Sequence, residues 1–350
     1  MHIAIAGGTS PTLGFSIVSA LLATDGRYTP VILSRETTIS KKQSLAQNEV
    51  EVRYVDYHSQ TSLVTALKGI DTVISVLLIP GPEWVTVQLN LLHAAEAAGC
   101  RRFAPSEFAL TSSAHSMVDV LDAKNKVWEV VQTSVNQHRI DAARFPCGMF
   151  MNYLGIGCPD SGRRKDALAG FQEGPFLVHF ENPESPWIEV PLRSDQTFPR
   201  LTMTDIHDIG RFIVAALDIT EPWAGRELGM VGDTLSFGDL ISICQKYVER
   251  PIEIRPLTES ALQTKLLTIP QSEIIARMEC QLAIVCARDM SVVPPTLNEL
   301  SSVQPMTVAE YMRRYWGPES EWRNGDRIIT DGTSMQVNRA KHINFTNPNN

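Results

Sequence analysis

The chain has 350 residues, 43% of them hydrophobic and 20% charged, which suffices for one large or two closely joined folded units with a sizeable core. Its formal charge of −8 and pI near 5.5 exclude a nucleic-acid partner, because phosphate neutralisation needs a basic surface. Six scattered cysteines without a C-x-x-C pair, and eight histidines none of which sits at ligand spacing, point to reduced thiols and no metal site.

In chain order, HIAIAG reads as a strand and LGFSIVSALLA as a helix with apolar residues at helical spacing. TPVILSR and VEVRYVDY are the second and third strands, and SLVTALKG is a helix stopped by Gly69. DTVISVLLI is the fourth strand, followed after Pro80 and Pro82 by the helix WVTVQLNLLHAAEAAG. RRFAPSEF is the fifth strand, VDVLDAKNKVWEVVQTSV a helix, and IDAARFPCGMF the sixth strand. This alternation predicts an α/β fold: a Rossmann-like, doubly wound parallel sheet occupying residues 1–150. Ligands in such sheets bind beyond the carboxyl ends of the strands, here near Gly8, Arg35, Leu77, Ser106 and Phe145.

From residue 151 the texture changes, with more Pro and Gly and with aromatic-bearing loops, GPFLVHF and ESPWIEV. MTDIHDIGRFIVAALD reads as a helix capped by Thr204 or Asp205, LSFGDLISICQKYV as another, PIEIRPL as a short strand and TVAEYMRRYWG as a final helix. We expect residues 151–330 to form mainly a smaller α/β substrate-binding region, with some elements returning to the first unit. Residues 331–350 form a polar tail, and the sequon at Asn344 is ascribed to chance. A start without a basic region and the absence of any long apolar run predict a cytoplasmic chain with no membrane partner, a monomer or homodimer.

The stretch GGTSPTLG joins the first strand to the first helix, the place of a dinucleotide-binding turn. The triplet spacing falls on Gly8, Pro11 and Gly14, so the middle glycine is replaced by a residue without an N–H. Thr9, Ser10 and Thr12 can donate hydroxyl hydrogen bonds in its stead. Gly8, Thr9, Ser10, Thr12, Leu13 and Gly14 are the candidates to hold a pyrophosphate. The second strand ends in Ser34, Arg35 and Glu36, with Lys41 and Lys42 shortly after. Arg35, with Lys42, suits the 2′-phosphate of NADP(H) rather than the ribose hydroxyls of NAD. The alternative is a solvated basic loop beside Glu36.

Taken together, GGTSPTLG, Arg35, VDYHSQTSLVTALKGIDTVIS, RRFAPSEF and DAKNKV resemble the isoflavone-reductase-like branch of the NmrA-like family, atypical short-chain dehydrogenase/reductases, and its fungal members in particular. The family loop, G-G-T-G-x-x-G, is one residue shorter than the loop here. No Tyr has a Lys four positions on, so the common Tyr-x-x-x-Lys mechanism is excluded. The resemblance assigns the acid/base lysine of that branch to Lys124. On a helical wheel Lys124 falls among Leu121, Val127, Trp128, Val131 and Val135, whereas Lys126 lies off that face. A lysine so placed either snorkels at an edge or sits in a pocket that depresses its pKa.

Ser106 and Glu107 end the fifth strand beside the expected nicotinamide site, with Ser106 and Lys124 among the candidate cofactor-binding residues, and Glu107 either orients Lys124 or bonds to backbone. Phe145, Pro146 and Cys147 end the sixth, where the resemblance places residues against the nicotinamide, with Cys147 read as inert packing. Leu77 and Leu78 border the adenosine or ribose, or belong to the core. His207 and Asp208 are read as structural, and Trp187, Phe176 and Phe180 as lining either the pocket or the core. The reading is an NADPH-dependent reductase of a small aromatic or polyketide-like secondary metabolite, acting on a conjugated C=C, quinone methide or imine. Two alternatives stand beside it: a redox-neutral isomerase or cyclase on the same scaffold, and a non-catalytic dinucleotide-sensing regulator.

Overall fold

The computed structural model describes residues 1–35, 50–79, 81–172 and 174–318. Six strands of the first half, β1 (His2–Ala6), β2 (Thr29–Ser34), β3 (Glu51–Tyr54), β4 (Thr72–Ser75), β5 (Arg102–Ala104) and β6 (Asp141–Arg144), lie in one sheet. Their spatial order is β6-β5-β4-β1-β2-β3, and the short strand Arg226–Glu227 adds to the free edge of β6. Every pairing in the sheet is parallel. The order reverses between β1 and β4, which opens a crevice there at the carboxyl ends.

Both faces of the sheet are covered, because alternate side chains point to opposite sides. Ile3 and Ile5 of β1 pack with Ile17 and Leu21 of the helix Leu13–Leu22 and with Ile209, Phe212 and Ile213 of the helix Ile206–Asp218. Ala4 and Ala6 face the other way, toward Leu63, Leu91, Val127 and Val131. These come from the helices Gln60–Ala66, Glu83–Ala98 and Asp119–Asn136. The helix starts follow from local chemistry. Ser59 caps one by accepting from the amide of Ser62, and Asp205 caps another by accepting from the amide of His207. Gly99, at φ 75°, closes the helix Glu83–Ala98 in the left-handed conformation that glycine adopts without strain.

A second core lies under the later residues, built on Tyr153, Phe171, Phe176, Phe180, Tyr311 and Tyr315. It carries two three-stranded sheets. In one, Arg200–Thr204 pairs with Asp233–Ser236 and Met149–Phe150; in the other, Trp187–Leu192 pairs with Glu253–Thr258 and Val178–His179. GPFLVHF and ESPWIEV are therefore loops only in part: Val178–His179 of the first and residues 187–190 of the second are strands. Val178 and His179 pair antiparallel with Ile188 and Trp187, and Val178, Ile188 and Val190 bury one face. Two helices, Glu259–Thr268 and Ile274–Ala287, occupy a segment for which the periodicity suggested no element. The polar tail from Asp331, with Asn344, lies outside the described residues. Among the described residues no helix is long and apolar enough to cross a membrane.

Candidate active site

A parallel sheet delivers all its strand ends to one rim, and the rim here collects the segments singled out in the sequence. At the end of β1, Gly7 takes φ +86°, and the amide of Ser10 donates to its carbonyl at 2.9 Å. The amide of Phe15 donates to the Ser10 carbonyl at 2.9 Å, so the turn runs directly into the helix. That helix starts at Leu13 with no side-chain cap and no acidic residue in its first turn, which leaves its dipole and first amides for an anion. A Cβ on Gly14 would overlap the carbonyl oxygen of Gly7, so only glycine lets the helix lie this close to the strand.

The hydroxyls of Ser10 and Thr12 lie 2.9 Å apart and bond to each other. Pro11 has a separate task. Gly170, at φ +78°, sits so close that a Cβ there would overlap the Pro11 carbonyl oxygen. The extra loop residue is thus seated against the turn that ends the helix Ser161–Leu168.

Arg35 is exposed at the end of β2. Near it the sequence reading missed Tyr57, whose buried hydroxyl donates to the Leu33 carbonyl at 3.1 Å and lies by Gly7 and Arg35. Lys42, with Glu36 and Lys41, lies outside the described residues. At the end of β4, Leu77 is half-buried and accepts from the indole N–H of Trp84 at 3.1 Å, while Leu78 is 89% exposed and is no part of the core.

Ser106 is tied in place from below. Fully buried Gln88 donates to Ser75 Oγ at 2.9 Å, and its carbonyl oxygen accepts from the amide of Ser106 at 3.3 Å. The sequence reading missed this residue as well, a polar side chain on the inner face of an otherwise apolar helix. Lys124 then donates from Nζ to the Ser106 carbonyl, with its ammonium 5.1 Å from the centre of the Trp84 ring. Its stem is partly exposed, its charged end enclosed, and burial holds its pKa below the ordinary lysine value despite the opposing charge of Glu107. The snorkelling alternative does not apply to Lys124. It does describe Lys126, which is exposed and pairs with Asp122 at 3.8 Å.

Around Lys124 stand Glu107, Cys147 and Arg144. Glu107 does not bond to backbone: neither carboxyl oxygen has a hydrogen-bond partner among the described residues. Arg144 pairs with Glu227 at 3.4 Å and stacks 4.4 Å from the centre of the Trp128 ring. Burial pushes the Cys147 thiol up to about 12, so it is protonated packing. Phe145 is fully buried between Phe108 and Trp223, and the Pro146 carbonyl accepts from the amide of Met230 at 2.8 Å.

A cavity of about 190 Å³ adjoins this group. It is lined by residues 108–110 just after Glu107, by Leu121 one turn before Lys124, and by residues 148–150 just after Cys147. Tyr153, Phe176, Met278 and Leu282 close it from the other side. Phe180 belongs to the core instead, and Trp187 lies apart, stacked 3.5 Å from His179. His207 and Asp208 are structural in their contacts. His207 Nδ1 lies 3.3 Å from Asp205, and Asp208 accepts from the amide of Met306 at 2.6 Å.

Residues 1–312 match the family model described as the NmrA-like family. The chain belongs to the NmrA-like family. An oxidoreductase of Botryotinia fuckeliana is 31% identical to this NmrA-like protein over 266 residues, covering 74% of this chain and 80% of its own. Among solved structures, an isoflavone reductase superposes with a TM-score of 0.69 at 19% identity, covering 90% of this chain and 99% of that one. The protein AtPrR2, solved with NADP+ and (+)-pinoresinol, superposes with a TM-score of 0.67 at 20% identity, covering 90% and 98%. Similarity at that level establishes the shared fold.

Proposed function

We propose that this NmrA-like protein is an NADPH-dependent reductase of a small, neutral aromatic or polyketide-like molecule, with Lys124 as its acid/base group. The observation that carries the reading is the enclosed Lys124 ammonium, fastened to Ser106 at the carboxyl end of the sheet and adjoining an apolar cavity. The oxidoreductase class agrees with the Botryotinia relative, and the cofactor with the NADP+ held by the pinoresinol-bound neighbour.

The residues present fit a dinucleotide. An uncapped helix start, a close-approach glycine at 14 and the free capacity of the Ser10 and Thr12 hydroxyls suit a pyrophosphate. Arg35 at the end of β2 suits a 2′-phosphate, and Leu78 stands open to cover the cofactor. When bound, the cofactor supplies the hydride. Among the described residues no Asp, Glu, Lys, Arg or His lines the cavity, so a charged substrate would lose its hydration without compensation. Lys124 holds or gives up the proton that balances hydride transfer, and burial lowers its pKa from the ordinary lysine value, which eases release of that proton.

The reading is tested by transfer of deuterium from 4-deuterated NADPH into product across a panel of neutral aromatic enones, quinone methides and imines. Turnover that leaves the substrate's oxidation level unchanged would make the enzyme redox-neutral instead. NADPH should bind more tightly than NADH, and Arg35→Ala should narrow that preference. Loss of a charged hydrogen bond is worth ~1.5–3 kcal/mol, or about ten- to a hundredfold in affinity. Equal affinities in the wild type would refute the role of Arg35.

The seat of Pro11 on Gly170 gives a further check on the loop. Gly170→Ala brings both a left-handed backbone penalty, ~1–2 kcal/mol, and a clash with the Pro11 carbonyl. It is expected to weaken NADPH binding by about tenfold, as read by fluorescence titration. Unchanged affinity would mean that the loop holds its shape without this buttress.

A further inference from the structure

Beside Lys124 lies a buried polar pair to which the proposed reaction gives no role. Glu107 and His115 are each 1% exposed, a rare state for an acid. Neither oxygen of Glu107 and not Nδ1 of His115 has a hydrogen-bond partner among the described residues. Isolated unsatisfied atoms are uncommon in protein interiors, and three side by side require a common reason.

The imidazole's other nitrogen supplies the first constraint. Nε2 lies 3.0 Å from the Leu110 carbonyl oxygen, which can only accept, so Nε2 carries a proton. Burial pushes His115 down to about 4, so at neutral pH Nδ1 offers a lone pair. That lone pair faces Oε2 of Glu107 at 3.8 Å. An ionised carboxylate there would be buried with no hydrogen-bond donor among the described residues and opposed by a second lone pair. One proton between the two atoms removes both penalties. The separation exceeds an ordinary O–H···N hydrogen bond by about 1 Å, so the bond requires the carboxyl group to turn toward the imidazole.

We propose that Glu107 is kept as a neutral carboxylic acid donating to Nδ1 of His115, and that this positioning pair leaves Lys124 free to release its own proton. Burial raises the Glu107 pKa against the pull of Lys124 and Arg144, which agrees with a neutral acid. The groups facing the pair come from every neighbouring element: Lys124, Arg144 on β6 and Glu227 on the added edge strand. Arg144 is engaged through Nη1 by Glu227 at 3.4 Å, while its Nε has no hydrogen-bond partner among the described residues. Lys124 faces Cys147 and Trp84 besides. Were Glu107 ionised, its charge would hold the Lys124 ammonium protonated. With Glu107 neutral, burial and Arg144 favour the free amine.

The proposal rests on Lys124 as the acid/base group, but its first test does not. The infrared difference spectrum between the wild type and Glu107→Gln at neutral pH should contain the deuterium-sensitive carbonyl band of a protonated carboxylic acid. A carboxylate band in its place would overturn the proposal whatever Lys124 does. The second test follows the Lys124 titration by NMR of labelled lysine side chains. His115→Phe removes the acceptor, frees Glu107 to ionise, and should raise the Lys124 midpoint by about one pH unit. Adding Glu107→Gln should abolish that shift. Its persistence in the double variant, or a comparable fall in Glu107→Gln alone, would mean that the pair does not act as proposed. Should His115→Phe fail to fold, the near-isosteric Glu107→Gln still decides, because its amide donates to the same Nδ1.

Discussion

Lys124→Ala is expected to lower kcat by on the order of 10²–10⁴, the usual worth of a positioned acid or base, while NADPH affinity stays within a few-fold. The two effects separate because the side chain and the proposed phosphate site stand on different strand ends. Lys124 is held by Ser106 after β5 and by the Trp84 ring, whereas the uncapped helix start follows β1. Lys124→Arg should not restore the rate, since a guanidinium stays protonated and cannot accept a proton at neutral pH. Lys126→Ala is the control, because Lys126 is exposed and pairs with Asp122. Pre-steady-state hydride transfer and cofactor titration on the same samples make the comparison. A variant that turns over at the wild-type rate would place the proton in substrate or solvent; one that no longer binds NADPH would recast Lys124 as a cofactor anchor.

Arg102→Ala carries the largest expected effect on stability. Arg102 is 1% exposed at the start of β5, the end of the sheet opposite the site. Its guanidinium pairs with Asp141 at 3.2 Å, donates to the carbonyls of Ile219 at 2.8 Å and Glu221 at 2.9 Å, and lies 4.7 Å from the centre of the Trp223 ring. It bolts the loop after the helix Ile206–Asp218 to the sheet. Truncation leaves a void, the carbonyls of Leu217, Ile219 and Glu221 without their donor and a carboxylate without its counter-ion. Breaking one side of such a buried pair costs ~3–5 kcal/mol, which for a chain of this size lowers Tm by roughly 4–7 °C. Asp141 keeps the amides of Trp223 and Ala224, so the loss falls short of that for a fully orphaned charge. Urea unfolding measures it, and a cost below about 1 kcal/mol would mean that water enters to solvate the loop. The folded fraction should bind NADPH as the wild type does.

Much of this architecture was legible in the sequence. The alternation of HIAIAG, TPVILSR and their successors with helical patterns predicts the parallel sheet, and β1 to β6 lie where those runs lie. Lys124 could be distinguished from Lys126 by helical angle alone. The errors came from segments whose pattern is short. WIEVPL alternates half-buried and buried residues over only its first four positions and contains a proline, and it reads as a loop until Glu253–Thr258 and Val178–His179 are seen to flank it. The role of Arg102 was hidden for another reason: in RRFAPSEF nothing local separates a guanidinium buried under a distant loop from an exposed one such as Arg101.

The sequence by itself determined the order of elements, the parallel sheet and hence the rim on which the ends of β1, β2, β4, β5 and β6 meet. Those follow from periodicity, capping and turn chemistry, which act over a few residues. Only the tertiary structure decided that Pro11 seats on Gly170, that Gln88 ties Ser75 to Ser106, that Ser106 holds Lys124, and that Glu107 faces His115 with no donor between them. Whether a buried acid keeps its proton depends on every group packed against it, and those groups are brought together from distant parts of the chain by the path of the fold.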